Sequence, residues 1–282
     1  MSIATAKPAP VQAAASLDHL SWSGIQSYKQ CPRRFKFRYI DKTPEERTGS
    51  ALLYGGSIHR AVESIHEARL AGQAIPATDE LVKGYESAWH ESLAKKPPVS
   101  YGKTESAVVL REQAQRTLDA YRQHVIGTKM KTEVLAIEHA ARFSLLSNAP
   151  PIEARLDLVE KADDELIVTD FKTSKGSWNA EKAHASLGQV VLYAHAIMPM
   201  VREFKIRRVV TQFVVLPKLK KATVQVLTPR PDQGDVVRLK ETVADVWQGV
   251  KAGVFPRIES WACKTCPFKT ACLGNTLRPT ER

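Results

Sequence analysis

Two aspartates and a lysine lie in consecutive apolar segments of the sequence. Asp157 lies in Arg-Leu-Asp-Leu-Val, and Asp170 and Lys172 lie in Val-Thr-Asp-Phe-Lys. If both segments are strands, Asp170 and Lys172 point to one face, and Asp157 on the neighbouring strand could face them. Carboxylates bind Mg²⁺ or Mn²⁺ through oxygen, and such an ion activates a water for phosphodiester hydrolysis. A lysine beside them could orient that water or stabilise charge on phosphorus. An ion pair at a strand end would explain the same residues.

The hydrophobic periodicity predicts an α/β protein with a central mixed sheet. A run of strands is followed by a helix, two further strands and a last helix, which is typical of an α/β domain. Strands are predicted near 133–146, 152–160, 165–172, 206–216 and 222–228. Helices are predicted from Ser21 through Phe37, from Gly55-Gly56 onward, and over 78–95, 105–126, 180–200 and 233–252.

Further side chains could complete the same site. His59 follows Gly55-Gly56 near the start of a predicted helix and is a candidate metal ligand. Gln189 and Tyr193 are spaced i, i+4 and share a helical face that could reach the cleft. A structural histidine and two polar residues at a core boundary are the alternative interpretations. Glu138, in the first strand of the run, is a candidate further acidic member of the site, although a solvated strand residue is the favoured interpretation.

The order of these motifs resembles the PD-(D/E)XK nuclease superfamily. Gly-x-x-x-His, Asp, Asp-x-Lys and Gln-x-x-x-Tyr follow one another over about residues 20–275. The arrangement is most similar to the RecB/AddB-like branch and to the related CRISPR-adaptation exonucleases. Leu156 stands where the name-giving proline would be, and Ala154 replaces a common glycine. Neither change removes a functional group, so the resemblance implies an active enzyme with a restriction-endonuclease-like core.

The resemblance also implies roles for individual residues. Lys172 would be catalytic, together with the two aspartates. Gln189 and Tyr193 would support the site or contact DNA. The implied ligands of Mg²⁺ or Mn²⁺ are His59, Asp157, Asp170 and the backbone carbonyl of Phe171.

The four cysteines are placed unevenly, which favours a metal or cluster site. Cys31 stands alone, and Cys263, Cys266 and Cys272 form C-x2-C-x5-C. Four thiolates suit one [4Fe–4S] cluster or tetrahedral Zn²⁺, although zinc sites more often use two close pairs. The pattern looks like the iron–sulfur staple of AddB-type and CRISPR-adaptation nucleases, which implies a clasp between both ends of the chain. The aromatic residues beside the triplet, Trp261 and Phe268, are expected to shield the metal, with base stacking as the alternative.

Charge and composition point to a polyanionic partner. The 282 residues include 41 Lys and Arg against 30 Asp and Glu, a net charge of +11. No apolar run reaches the roughly 18 residues of a membrane helix, and the N-terminus lacks the apolar centre of a signal peptide. We therefore expect a cytoplasmic protein that does not enter membranes. Candidate phosphate contacts, each also explicable as solvated surface, are Arg33, Arg34, Lys218, Lys220 and Lys221.

Together these features predict a metal-dependent DNA nuclease, an exonuclease on single-stranded DNA or free ends in repair or recombination. A CRISPR-adaptation, phage or defence nuclease is the alternative within the family, and a non-catalytic DNA-binding module is the alternative from another class. Gly102-Lys103-Thr104 lacks the earlier glycine of a phosphate loop, so a separate helicase or integrase subunit is a candidate partner. The predicted organisation is a disordered tail (1–16), one nuclease domain (17–275) with a helical insertion (about 60–128) and a cluster-binding C-terminus (about 259–274), and a second tail (276–282).

Overall fold

The computed structural model describes residues 17–128 and 131–274. The predicted tails at 1–16 and 276–282 lie outside the described residues. The chain divides into two compact units, one with the described residues 17–45, 142–153 and 236–274, the other with the remainder. The single nuclease domain inferred from the sequence stays a prediction, because compactness does not show which parts fold independently. Within the described residues, no helix is long and apolar enough to span a membrane.

The strands of the described residues form two sheets. The larger has the order β3-β4-β5-β6-β7, with β4 antiparallel to β5, β5 parallel to β6, and β6 antiparallel to β7. The smaller is a parallel pair of β1 and β2. The strands are β1 (Thr48–Gly49), β2 (Val99–Ser100), β3 (Glu133–Phe143), β4 (Ile152–Ala162), β5 (Glu165–Ser174), β6 (Arg208–Pro217) and β7 (Gln225–Leu227).

Helices of the second unit cover both faces of the larger sheet. Three long helices precede the sheet in sequence, and three short ones connect β5 to β6. Their bounds are α3 (Ser50–Leu70), α4 (Thr78–Lys95), α5 (Ala107–Gly127), α6 (Ala180–Ala185), α7 (Leu187–Ala196) and α8 (Met198–Glu203). The α/β class with a central mixed sheet flanked by helices is therefore confirmed.

The alternation of side chains along the strands explains why both faces are covered. On β6, Val214 and Leu216 pack into the cluster formed with α3, α4 and α5. Phe213 and Val215 point to the other face and pack with Trp178 and with residues of α6 and α7. All four β6 side chains are buried, as expected for a strand that lies inside a sheet with helices on both sides.

The first unit gathers the two ends of the described chain. Its helices are α1 (Trp22–Gln30), α2 (Pro32–Phe35), a π-helical turn (Lys36–Ile40), most of α9 (Gln233–Lys251), a 3₁₀ turn (Trp261–Thr265) and α10 (Lys269–Leu273). Ser21 caps α1 by accepting from Gly24 N at 3.2 Å. Cys31 follows with an extended backbone, and Pro32 begins a new helix, so Cys31 lies in the break between α1 and α2.

Three predicted helices differ from the structure. The helix from Ser21 to Phe37 is broken at Cys31. α3 begins at Ser50 and contains both glycines, because apolar side chains on either side of them bury one continuous face. The predicted helix 180–200 is three short helices, and Pro199 lies in the first turn of the last of these. The other predicted helices and strands lie within about three residues of their predicted ends, whereas the short β1, β2 and α10 were not predicted.

Candidate active site

The centre of the site is an opening where β4 and β5 separate, which we call the fork. The antiparallel ladder between the two strands ends at the pair Leu158↔Thr169. Asp157 and Asp170 come next on the two strands, and Phe171 N donates to Asp157 Oδ2 at 2.6 Å. The carboxylates therefore occupy the opening that the ladder leaves.

Asp170 is buried and held from two sides. Its Oδ1 accepts hydrogen bonds from Gln189 Nε2 at 2.8 Å and from Tyr193 Oη at 2.7 Å. Gln189 also donates to Tyr193 Oη at 2.7 Å, so the i, i+4 pair on α7 acts as one unit. Oδ2 makes no hydrogen bond of good geometry and lies 2.6 Å from Lys172 Nζ. Lys172 is 29% exposed and can meet a substrate, whereas Asp170 is 3% exposed.

A second group of ligand atoms lies at the same fork. One atom each from His59, Glu138 and Asp157 lie within 4.8 Å of one another, and His59 Nδ1 is 3.7 Å from Asp157 Oδ2. The His59 ring also interacts with the backbone of Phe171. Asp170 is not among these three, so the structure brings together only part of the ligand set that the sequence predicts.

Glu138 is not the solvated residue that its position in a strand suggested. It has φ of +49°, a left-handed conformation that costs a non-glycine residue about 1–3 kcal/mol. Its side chain is 28% exposed, and Arg155 Nη1 lies 3.3 Å from its Oε2. Burial, followed by the nearby charge of Glu63, raises the pKa of Glu138. The left-handed backbone of Glu138 therefore coincides with a carboxylate that lies beside two candidate ligands.

The electrostatics of the fork favour a bound cation. Burial and then the charge of Asp170 raise the pKa of Asp157 well above its usual range. Burial lowers the pKa of His59, partly opposed by Asp170, so the imidazole is neutral at pH 7 and can act as a ligand. Crowded carboxyl groups that disfavour one another's ionisation, beside a neutral imidazole, suit a divalent cation.

Gly55 lies where α3 approaches β5. A Cβ added at Gly55 would meet Thr173 Oγ1 at 3.1 Å, a tight contact that the threonine side chain would have to relieve by moving slightly. At Gly56 an added Cβ would meet nothing within 4 Å. Of the two glycines in the motif, Gly55 is therefore the one at which an added side chain would crowd β5.

The four cysteines line one cavity of about 260 Å³ in the first unit. They are free thiols and come from both ends of the described chain. Burial raises the pKa of Cys272, and Arg257 opposes this effect. Cations line the same cavity, namely Arg33, Arg34, Arg257 and Lys269.

The two aromatic residues of the cysteine-rich segment behave differently. Phe268 is buried and packs against Phe37, with ring centroids 5.7 Å apart. Trp261 is 84% exposed, so the expectation that it shields the cysteines is wrong. The tryptophan opens a 3₁₀ turn, and its side chain extends into solvent.

The predicted phosphate contacts lie in different environments. Lys218 is largely buried, lies 2.6 Å from Glu105 Oε1 and is placed over the Tyr54 ring. This ion pair, with a hydrogen bond from Ser50, lowers the pKa of Glu105 to about 2. Arg33 Nε donates to Phe255 O, and Arg34 donates to Gln30. Lys220 and Lys221 are exposed.

The comparisons with known proteins identify the family. Residues 19–273 match the family model of the PD-(D/E)XK nuclease superfamily, and the chain therefore belongs to this superfamily. Nucleases of this superfamily use divalent metal ions. No curated protein matches the sequence significantly.

Two solved structures are similar to this chain. A "putative exonuclease" from Eubacterium rectale aligns with 11% identity over 96% of this chain and 93% of that chain, with a TM-score of 0.57. At this identity the likeness shows a common fold. The structure of SSO0001 aligns with 13% identity over 82% of this chain and 88% of that chain, and its TM-score of 0.33 is too low to show a common fold.

Proposed function

We propose that this chain is a metal-dependent deoxyribonuclease that hydrolyses phosphodiester bonds at the fork, acting as an exonuclease on single-stranded DNA or free ends. The observation that carries the proposal is one opening of the sheet that combines a paired Asp170 and Lys172 with the ligand atoms of His59, Glu138 and Asp157. A binding module would not require a buried acidic group beside a reachable ammonium. The net charge of +11 supports a nucleic-acid substrate.

Each residue at the fork has a distinct part in this proposal. A divalent metal ion bound there would polarise the phosphate and lower the pKa of an attacking water. His59, Glu138 and Asp157 would hold the ion, and Asp170 would join them through Oδ2, the oxygen that faces Lys172 and accepts neither of the hydrogen bonds from α7. Lys172 would donate to a phosphate oxygen and stabilise the developing negative charge.

Gln189 and Tyr193 act through Asp170 and are positioning residues. Both donate to Oδ1, which fixes the plane of the carboxylate and directs Oδ2 towards Lys172. Tyr193 is buried, and burial followed by the charge of Asp170 raises its pKa well above the usual range. Its hydroxyl therefore remains a hydrogen-bond donor at every pH at which the protein would be assayed.

A time course on labelled DNA tests the nuclease proposal. Linear single strands labelled at either end, a blunt duplex and a circular single strand are incubated with Mg²⁺, Mn²⁺ or EDTA. We expect metal-dependent shortening of the linear strand from one end, while the circle resists. Tight binding of single strands without cleavage in any metal would contradict the proposal and favour the non-catalytic DNA-binding module.

We further propose that the four cysteines hold one [4Fe–4S] cluster, the feature of the RecB/AddB-like branch. All four thiols line one cavity and come from both ends of the described chain, which suits a cluster whose ligands bind different iron atoms. The cations of the cavity would offset the charge of the thiolates.

Metal analysis after anaerobic purification separates the two alternatives. We expect about four iron atoms per chain and the brown colour of a cluster. Colourless protein with zinc and no iron would contradict the cluster and leave a structural zinc site. The nuclease proposal does not depend on this result, because the fork and the cysteines lie in different units.

Repair or recombination beside a separate helicase or integrase subunit is the proposed setting. The support is the absence of a phosphate-loop motif around Gly102-Lys103-Thr104. CRISPR adaptation, a phage or a defence system would use the same chemistry. Co-purification of the full chain with a motor or integrase subunit tests this assignment.

A further inference from the structure

Trp261 is exposed in a way that the other tryptophans are not. Trp89, Trp178 and Trp247 are buried, and Trp22 is partly buried, whereas 84% of Trp261 is exposed. A tryptophan can bury 150–250 Å² on contact, so an open indole is a large unused contact surface. Single exposed apolar residues are common on proteins, and the surroundings must decide whether this one has a role.

Hydrogen bonds order the backbone of the turn that carries Trp261. Ser260 caps the 3₁₀ turn by accepting from Ala262 N at 3.3 Å, and its carbonyl accepts from Cys263 N at 3.0 Å. Trp261 lies between Ser260 and Cys263, both of which line the cysteine cavity. Trp261 is therefore an exposed residue in a hydrogen-bonded turn between two residues of the cavity wall.

The surroundings of the indole are cationic. Lys264 is exposed three residues after Trp261, and Arg257 and Lys269 line the cavity from the same segment. Glu259 is the acidic residue in this segment, and it pairs with Arg257. With Arg257 paired, Lys264 and Lys269 remain as the positive charges of the segment that carries the open aromatic ring. They suit a strand of nucleic acid, with its phosphates on the lysines and its bases on the ring.

We propose that Trp261 is a stacking platform for a base of single-stranded DNA. The inference rests on the proposed function, in that DNA is the substrate, and adds which form of DNA this surface prefers. A base inside a duplex is already stacked on both faces, so an unpaired base lies on the indole more readily than a paired one. Stacking on an aromatic side chain tolerates any base, which matches the absence of a base-reading motif.

The test measures binding without cleavage. In a Lys172→Ala background, fluorescence anisotropy gives Kd for a single-stranded oligonucleotide and for one of equal length whose sugars lack bases. Trp261→Ala should weaken binding of the normal strand by about 5- to 150-fold, the equivalent of about 1–3 kcal/mol for one stacked base. The abasic strand should lose less than two-fold, because its phosphate contacts are unchanged.

Conservative and matched variants keep the result interpretable. Trp261→Phe should retain an intermediate affinity for the normal strand, and Val108→Ala, an exposed apolar residue on α5, should change neither Kd. Equal melting temperature and metal content in all variants would show that the fold is intact. No loss, or an equal loss on both strands, would overturn the platform. If the enzyme with Lys172 cleaves DNA while the platform fails, only this inference falls. If it never cleaves but the base-dependent loss is found, only the nuclease proposal falls.

Discussion

At the scale of single residues, the fork is defined by what surrounds Asp170. This carboxylate is 3% exposed, accepts two hydrogen bonds at Oδ1 and contacts one ammonium at Oδ2. A buried carboxylate is tolerated only when it is paired and hydrogen-bonded. Removing one of the two hydrogen-bond donors should therefore disturb the position of the Asp170 carboxylate and leave the exposed surface of the protein unchanged.

Tyr193→Phe removes the hydroxyl that donates to Asp170 Oδ1 and should lower cleavage about 10- to 100-fold, as for partners that hold a metal ligand. Tyr85→Phe is the matched control. Its hydroxyl is buried on α4 and has no hydrogen-bond partner among the described residues, so its loss should be neutral or slightly stabilising. Rate constants and melting temperatures of both variants check the prediction. Equal losses of activity in the two variants would contradict the role of Tyr193.

Glu138→Gly should make the protein more stable and abolish cleavage. Glycine adopts φ of +49° without steric cost, and the substitution also removes the repulsion between Glu138 and Glu63. We expect a net gain of about 1 kcal/mol, or about 2–4 °C in melting temperature, after the entropy cost of glycine is subtracted.

Asp163→Gly is the control for the same change of backbone. Asp163 has φ of +51° in the exposed turn between β4 and β5, outside the candidate site. This variant should also gain stability but keep full activity. A Glu138→Gly protein that is less stable than wild type, or one that still cleaves DNA, would contradict the account of Glu138 as a strained ligand.

At the scale of elements, a buried histidine on α3 is hydrogen-bonded to a tyrosine on α5. His66 on α3 receives a hydrogen bond from Arg69 at Nδ1 and donates from Nε2 to Tyr121 Oη at 2.8 Å. Arg69 Nη1 continues to Glu160 Oε1 on β4 at 2.8 Å. Burial, with a smaller effect of Arg69, lowers the pKa of His66 from 6.5 to about 3. The neutral ring is thus part of the packing between these elements.

The stability of the protein should fall as the pH is lowered from 6.5 towards 3. In that window the unfolded His66 binds a proton and the folded one does not, so the free energy of unfolding rises with pH by about 1.4 kcal/mol per unit from this residue. In urea unfolding at several pH values, the free energy of unfolding of His66→Gln should rise less steeply with pH than that of the wild type, by this amount. Above pH 7 the imidazole is neutral in both states, and the difference between the two proteins should stay constant. Equal slopes below pH 6.5 would contradict the prediction.

Most elements were predictable because periodicity depends on local sequence. The exceptions have local causes, such as the extended Cys31 before Pro32 and the break near Pro199, both of which a proline signals. The break at Ser186 has no such signal. Its carbonyl accepts from Gln189 N, a bond that begins the next helix, and the nearby Gly188 lies inside that helix and not at the end of α6.

The candidate site was predictable as far as its motifs extend. Asp157 and Asp170 are neighbours because of the register between β4 and β5. Asp170 and Lys172 share a face because side chains alternate along β5. Glu138 itself has a left-handed backbone conformation inside a strand, and no sequence pattern predicts such a conformation. Likewise Lys218 pairs with Glu105, 113 residues away, so the sequence could not show that this lysine is already neutralised.

At the scale of the whole molecule, the two ends of the described chain meet in one unit. Cys31 and the C-terminal triplet line the same cavity. A ligand that binds only the folded form stabilises that form, and here it would close a loop of more than two hundred residues. The four cysteines should therefore contribute as one site.

Cys31→Ser and Cys272→Ser should each lower the melting temperature and reduce the iron content by similar amounts. The double variant should lose little more than either single one, because loss of any ligand already opens the clasp. Calorimetry and metal analysis on anaerobically purified proteins measure both quantities. Additive losses in the double variant would show that the two cysteines act independently and would contradict a shared site.

The most direct test of the central claim compares Lys172→Ala with Lys175→Ala. Lys175 is exposed three residues further along and serves as the matched loss of one positive charge. Cleavage of end-labelled single-stranded DNA and its binding are measured on the same preparations. The account predicts that Lys172→Ala abolishes cleavage while binding stays within a few-fold, and that Lys175→Ala cleaves normally. Cleavage that survives in Lys172→Ala, or an equal loss in both variants, would show that the chemistry does not take place at the fork.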